Sequence, residues 1–168
     1  MRPTFIIVGA QKAGTTSLYH LLYRHPRIKP AKKKELHYFD NNYFRDQSWY
    51  ESMFPLARLF FGAPSKVAKP ITGEASPYYL FHPSAVSRMA RTLPDAKLIV
   101  LLRNPVERAY SHYQHQVRSR TENLSFEDAL ASEKERIQGE AEKLLKDDRF
   151  RSAKHRRYSY LSRGIYAD

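Results

Sequence analysis

Side chains able to work on a phosphorylated or similarly anionic molecule fall into three groups along this chain. The first centres on Lys12, inside the stretch TFIIVGAQKAGTTS at residues 4–17. A lysine within a glycine loop can neutralise charge that builds on a leaving phosphate oxygen. Thr15, Thr16 and Ser17 offer hydroxyl and N–H groups to the same anion, or cap the helix that begins there, and the two roles are compatible. The second group centres on Arg103, which follows the apolar run AKLIVLL at residues 96–102. Arginine suits bidentate capture of a phosphate, and Ser111, about two turns into the next helix, lies within reach of the same group. Arg103 is equally suited to an ion pair with Glu107 or Glu74. The third group is Glu35 with His37. Two positions apart on an extended segment, they share a face, and either could act as general base on a substrate hydroxyl.

The elements that must position these groups follow from pattern. Residues 5–8 are a short apolar run rich in β-branched types and predict a buried strand. A loop from Gly9 to Gly14 leads into a helix on which Leu18, Leu21 and Leu22 share one face. Strand, glycine loop and helix N-terminus together make an anion site, because the first-turn N–H groups are free and the helix dipole favours negative charge. The nucleotide triphosphatase loop G-x-x-x-x-G-K-[ST] has the same glycine interval. Here Thr15 stands where its lysine belongs, the lysine has moved back to Lys12, and the strand at 96–102 delivers an arginine rather than a metal-binding acid. A phosphate cradle fits; an ordinary P-loop kinase or NTPase fits less well, and a plain βα turn using glycines for packing is the bland alternative.

Elsewhere, His25-Pro26 ends the first helix. The aromatic-rich residues 41–62 predict one or two short helices, residues 63–69 a turn, residues 70–74 a second short strand, and residues 83–93 a helix. The run at 96–102 is the strongest strand and suits a sheet covered on both faces. Residues 106–118 predict a helix, with Pro105 near its first turn. A charged helix capped by Ser125 is expected to about Leu145, then a basic loop over 146–157 and the start of another helix over 158–168. Strands alternating with helices imply an α/β fold with a parallel sheet.

At 168 residues the chain is one domain by length, and 42% hydrophobic with 13% aromatic residues supplies a core. The absence of cysteine excludes disulfides, thiolate metal sites and cysteine nucleophiles. No apolar run approaches a membrane span and no secretory leader is evident, so a cytoplasmic location fits. The net charge of +12 attracts polyanions: nucleic acid, acidic lipid surfaces or phosphorylated small molecules. A non-catalytic nucleic-acid module could use residues 32–34 and 149–157, but it would leave the Lys12 loop without a purpose.

Five motifs in register, GAQKAGTTSLYHLL, KKKELHYFD, ITGEASPYYLF, KLIVLLRNPVERAYSHYQH and YLSRGIYAD, resemble the sulfotransferases that use 3′-phosphoadenosine-5′-phosphosulfate, especially bacterial members and the heparan-sulfate-type branch. The resemblance runs from Thr4 to Asp168. It implies a P-loop-like three-layer α/β/α domain with a central parallel sheet, occupying residues 1–168 and lacking the family's C-terminal part. It also implies that Gln11, Lys12, Ala13, Gly14, Thr15, Thr16 and Ser17 hold the 5′-phosphosulfate, and that Arg103 and Ser111 hold the 3′-phosphate. Glu35 would be the catalytic base, Lys12 would stabilise the leaving phosphate, His37 would lie close by, and no metal would be needed. The acceptor would be a hydroxyl-bearing small molecule, carbohydrate or lipid, with no nucleic acid and no membrane span involved. Tyr78, Tyr79, His82 and Gln114 could line its pocket or pack in the core instead. Ala75 stands where heparan-sulfate enzymes often carry lysine, which points to a smaller or less anionic acceptor.

Overall fold

A computed structural model describes residues 1–56 and 70–166 of the chain. The expected turn over 63–69 and the aromatics Phe60 and Phe61 lie outside the described residues. Phe5–Gly9 forms β1, buried along its whole length. Its alternating side chains divide the core in two. Phe5 and Ile7 face α1 (Thr15–Leu22), packing with Tyr19, Leu18 and Leu22. Ile6 and Val8 face the other side, against Leu36, Phe39, Tyr50 of α2 (Gln47–Ser52), Tyr79 and Met89. Shortening Ile6 or Ile7 to alanine, both fully buried, costs about 2–5 kcal/mol because the cavity cannot collapse in so tight a sheet.

The strands β2 (Ile28–Pro30), β3 (Ile71–Ala75) and β4 (Lys97–Val100) complete a sheet of order β2-β3-β1-β4, parallel throughout. Parallel pairing needs crossovers. These are supplied by α1, by α3 (Ala85–Thr92) and by the segments beside them. Sheet and flanking helices make the expected three-layer α/β arrangement. The carboxyl ends of β1, β3 and β4 therefore meet at one edge, where ligands bind in such sheets.

Beyond the sheet, α4 (Pro105–Arg118) begins with Asn104 as cap, its side chain accepting from the N–H groups of Val106 and Glu107, and with Pro105 in the first turn. Its buried Ala109 packs with Ala129, Tyr160 and Phe126 in a separate cluster. The single charged helix expected after Ser125 is three short ones: α5 (Phe126–Ala131), α6 (Glu133–Ile137) and α7 (Glu140–Lys146). Gly139 sits at φ 71, a left-handed conformation that a continuous right-handed helix cannot contain. The basic stretch 146–157 is not all loop, because Ser152 accepts from the His155 N–H and starts α8 (Ala153–Tyr158). The chain after it forms a 3₁₀ turn at Ser162–Gly164 rather than the opening of an α-helix. One further expectation fails: among the described residues β4 is an outer strand, and Leu98, Val100 and, just beyond it, Leu102 remain 44–58% exposed.

Candidate functional site

At the carboxyl edge of the sheet the chain leaves β1 through Ala10-Gln11-Lys12-Ala13-Gly14. Lys12 (φ 71) and Gly14 (φ 92) both adopt the left-handed conformation, which folds the loop back over the start of α1. Among the described residues no side chain caps α1 at its N-cap Gly14, so its first-turn N–H groups can serve a ligand. The Ala13 N–H is already engaged by the Ala10 carbonyl at 3.2 Å. Gln11, Lys12, Gly14, Thr15 and Thr16 line a cavity of about 410 Å³ that Lys34, Glu35, Pro77 and His115 close on the far side. Ser17 is exposed on the first turn and does not line it.

Lys12 and Lys34 line this cavity, and two arginines lie near the Lys12 loop, although neither Arg103 nor Ser111 is among the lining residues. Arg103 reaches over from the end of β4, its Nη1 donating to the Lys12 carbonyl at 3.2 Å. Its Nε pairs with Glu107 at 3.0 Å, while Glu74 lies elsewhere, fully buried. Partial burial and the charges of Arg118 and Arg103 push the Lys12 ammonium below the ordinary lysine range. Mutually repelling cations held this way favour a polyvalent anion among them. Ser111 is one turn before His115 on α4, the spacing that puts both on one helix face.

Glu35 reaches the cavity, with His37 beside it, from the segment after β2, which is anchored where the Ala75 N–H donates to the Lys34 carbonyl at 3.3 Å. Glu35 Oε1 accepts from Lys34 Nζ at 2.8 Å and its Oε2 lies 3.2 Å from His37 Nε2. His37 Nδ1 is 2.7 Å from the buried Asp40 carboxylate. Hydrogen bonding from His37, reinforced by Lys34, overcomes burial and holds Glu35 down at about 2. Burial disfavours the His37 cation, but its bonds to Asp40 and Glu35 prevail and raise it to about 9. At neutral pH the imidazole is therefore protonated and cannot accept a proton, whereas Glu35 can. Beneath them Ser76 Oγ accepts from the His37 N–H and donates to Glu74. Burial pushes the Glu74 carboxyl up to about 7 against the hydrogen bonds from Tyr50, Ser76 and Tyr79.

A second cavity, of about 320 Å³, adjoins the first and shares Gln11, Glu35, Pro77 and His115 with it. Tyr78 lines it, with His37, Gln116, Arg156 and Arg157. The other expected lining residues lie elsewhere. Tyr79 is in the core, its hydroxyl accepting the Tyr38 N–H and bonding Glu74. His82 is buried, with Nδ1 accepting the Ser84 N–H. Gln114 points from another face of α4 and donates to Tyr110. Ala75 is fully buried against Phe5 and Ile7, so its identity does not shape either cavity. Sequence reasoning missed His115, Arg118, Arg156 and Arg157. The two arginines stood out as a basic run, but only the Ser152 cap signalled the helix that aims them.

Among known proteins, residues 2–157 match the family model described as a sulfotransferase domain. A crystal structure of a sulfotransferase from Alicyclobacillus acidocaldarius is similar, with 37% sequence identity and a TM-score of 0.68 over 98% of this chain and 68% of that one. The membrane-associated sulfotransferase kil1 of Dictyostelium discoideum is 39% identical over 73% of this chain and 25% of its own length. The human bifunctional heparan sulfate N-deacetylase/N-sulfotransferase 3 is 40% identical over 68% of this chain and 13% of its own length. The chain thus spans a quarter or less of those two relatives.

Proposed function

This chain belongs to the sulfotransferase family, and from that membership we propose that it moves a sulfuryl group from 3′-phosphoadenosine-5′-phosphosulfate to an acceptor hydroxyl. Lys12, Gln11 and the first turn of α1 hold the 5′ end, and Arg103 with Ser111 holds the 3′-phosphate. Glu35 takes the hydroxyl proton as the acceptor oxygen forms its bond to sulfur. The bond between sulfur and the 5′-phosphate oxygen breaks in the same displacement, and its electron pair stays on the phosphate. Lys12 neutralises that charge. The products are adenosine 3′,5′-bisphosphate and a sulfate ester. A carboxylate as acidic as Glu35 suffices, because the attacking oxygen's proton becomes acidic only as the new bond forms.

The observation that carries this reading is the position of Glu35: one carboxylate lines both the cavity at the Lys12 loop and the cavity beside Tyr78. A donor and an acceptor seated in the two halves would meet at it. Carbohydrate acceptors are supported by the relative named for heparan sulfate. Arg156 and Arg157 line the second cavity, where Glu35 is the only acid among the described lining residues, so negative charge on the acceptor is accommodated rather than repelled.

Calorimetric titration with adenosine 3′,5′-bisphosphate, with ATP–Mg²⁺ as control, tests the donor half. Preferential binding of the bisphosphate is expected, and preference for ATP–Mg²⁺ would return the chain to the kinase reading. Glu35→Gln should lower transfer by about 10²-fold or more while bisphosphate affinity stays within about threefold. Transfer near the wild-type rate would remove Glu35 as the base.

A further inference from the structure

Arg163 is 3% exposed, yet among the described residues no carboxylate pairs with it. Its Nη1 donates to the side-chain oxygen of Gln11, across 152 positions of sequence. Its Nη2 donates to the carbonyls of His155 at 3.1 Å and Arg156 at 2.9 Å, in the last turn of α8. The guanidinium lies against two aromatic rings, 5.1 Å from the Tyr78 centroid and 4.9 Å from that of Phe81. Burial lowers its pKa to about 9. An unpaired buried charge is a poor way to obtain stability, since a methionine could fill the same aromatic slot without desolvating an ion.

What the charge does obtain is orientation. An amide that accepts through its oxygen must turn its NH₂ the other way. Gln11 lines both halves of the cleft, so fixing its oxygen on Arg163 leaves two N–H donors for the cleft. The same guanidinium grips the α8 carbonyls beside Arg156 and Arg157, which line the acceptor half. We propose that Arg163 is a positioning residue for the sulfuryl transfer, holding the Gln11 amide with its NH₂ toward the oxygens of the 5′-phosphosulfate and locking the donor loop to the acceptor wall. This rests on the sulfotransferase reading above. Arg163 itself touches no reacting atom.

The test uses the 168-residue chain and two probes, adenosine 3′,5′-bisphosphate and adenosine 3′-monophosphate, which lacks the 5′ group. In Arg163→Met, bisphosphate affinity should fall about tenfold, while 3′-monophosphate affinity should stay within about twofold. Gln11→Ala should do the same. The double variant should be no worse than either single one, because both remove a single donor arrangement. Arg163→Lys keeps one donor and one charge, so it should recover most of the loss, and it supplies the measurement if the methionine variant does not fold. Equal weakening of both nucleotides, additive losses in the double variant, or a lysine variant with the full tenfold loss would each overturn the proposal and leave Arg163 a packing residue. Failure of the wild-type chain to prefer the bisphosphate over the monophosphate would instead overturn the sulfotransferase reading on which it rests.

Discussion

Glu35 sits between two cations, Lys34 and the protonated His37, and that arrangement sets the pH behaviour of the site. His37 is raised from 6.5 to about 9 on folding. Its contribution to stability is therefore complete below about pH 6.5 and disappears as pH climbs through 9, a change on the order of 1–3 kcal/mol. Chemical denaturation at pH 6 and pH 9.5 should register this loss, and His37→Asn should flatten the difference. Asparagine is the apt replacement because His37 has φ 53, a conformation that asparagine tolerates. The same variant should let the Glu35 carboxyl rise toward the ordinary carboxylate range, which an NMR titration of the side chain would follow. None of this was open to sequence reading. The spacing of Glu35 and His37 suggested a shared face, but Asp40, which orients the imidazole, and Ser76, which holds its backbone, become neighbours only in the folded chain.

Elements decide where the donor's far phosphate would rest. Arg103 lies between the end of β4 and the Asn104 cap, so its direction depends on how α4 begins. Asn104→Ala removes the acceptor for the Val106 and Glu107 N–H groups and should cost about 1 kcal/mol. It should also weaken adenosine 3′,5′-bisphosphate several-fold by letting Arg103 drift. A thermal melt and a calorimetric titration on the same sample would show both effects, and an unchanged affinity would place the 3′-phosphate elsewhere. The strand, loop and helix at the N-terminal end were legible because their signals are local: β-branched residues, two glycines at a known interval, and leucines at helical spacing. Only Leu18 and Leu22 pack on the sheet, beside Tyr19, while Leu21 is 63% exposed. The breaks after Ser125 were harder, since Ser132 and Gly139 are weak signals beside continuous charged helix formers. The expectation for β4 failed for another reason. An apolar run records a strand's tendency to be covered on both sides, not whether its neighbours are at hand.

At the scale of the molecule, the +12 charge and the outer strand pull in different directions. Net charge keeps copies apart, while Leu98, Val100 and, just past the strand, Leu102 offer an exposed apolar row on a strand that is outermost among the described residues, a template for association. Leu98→Lys should reduce concentration-dependent association in sedimentation runs at moderate salt, with a stability change within about 0.5 kcal/mol because the side chain is half exposed. Unaltered association would shift attention to another surface. The bond from Arg163 to Gln11 also bears on the order of assembly. It closes a loop of nearly the whole polypeptide, and contacts so distant form late because the intervening chain must first surrender its freedom. The parallel sheet can acquire its secondary structure before that closure. In refolding experiments, nucleotide capture should accordingly lag behind the recovery of circular dichroism, making the ligand a reporter of the last docking event rather than of collapse.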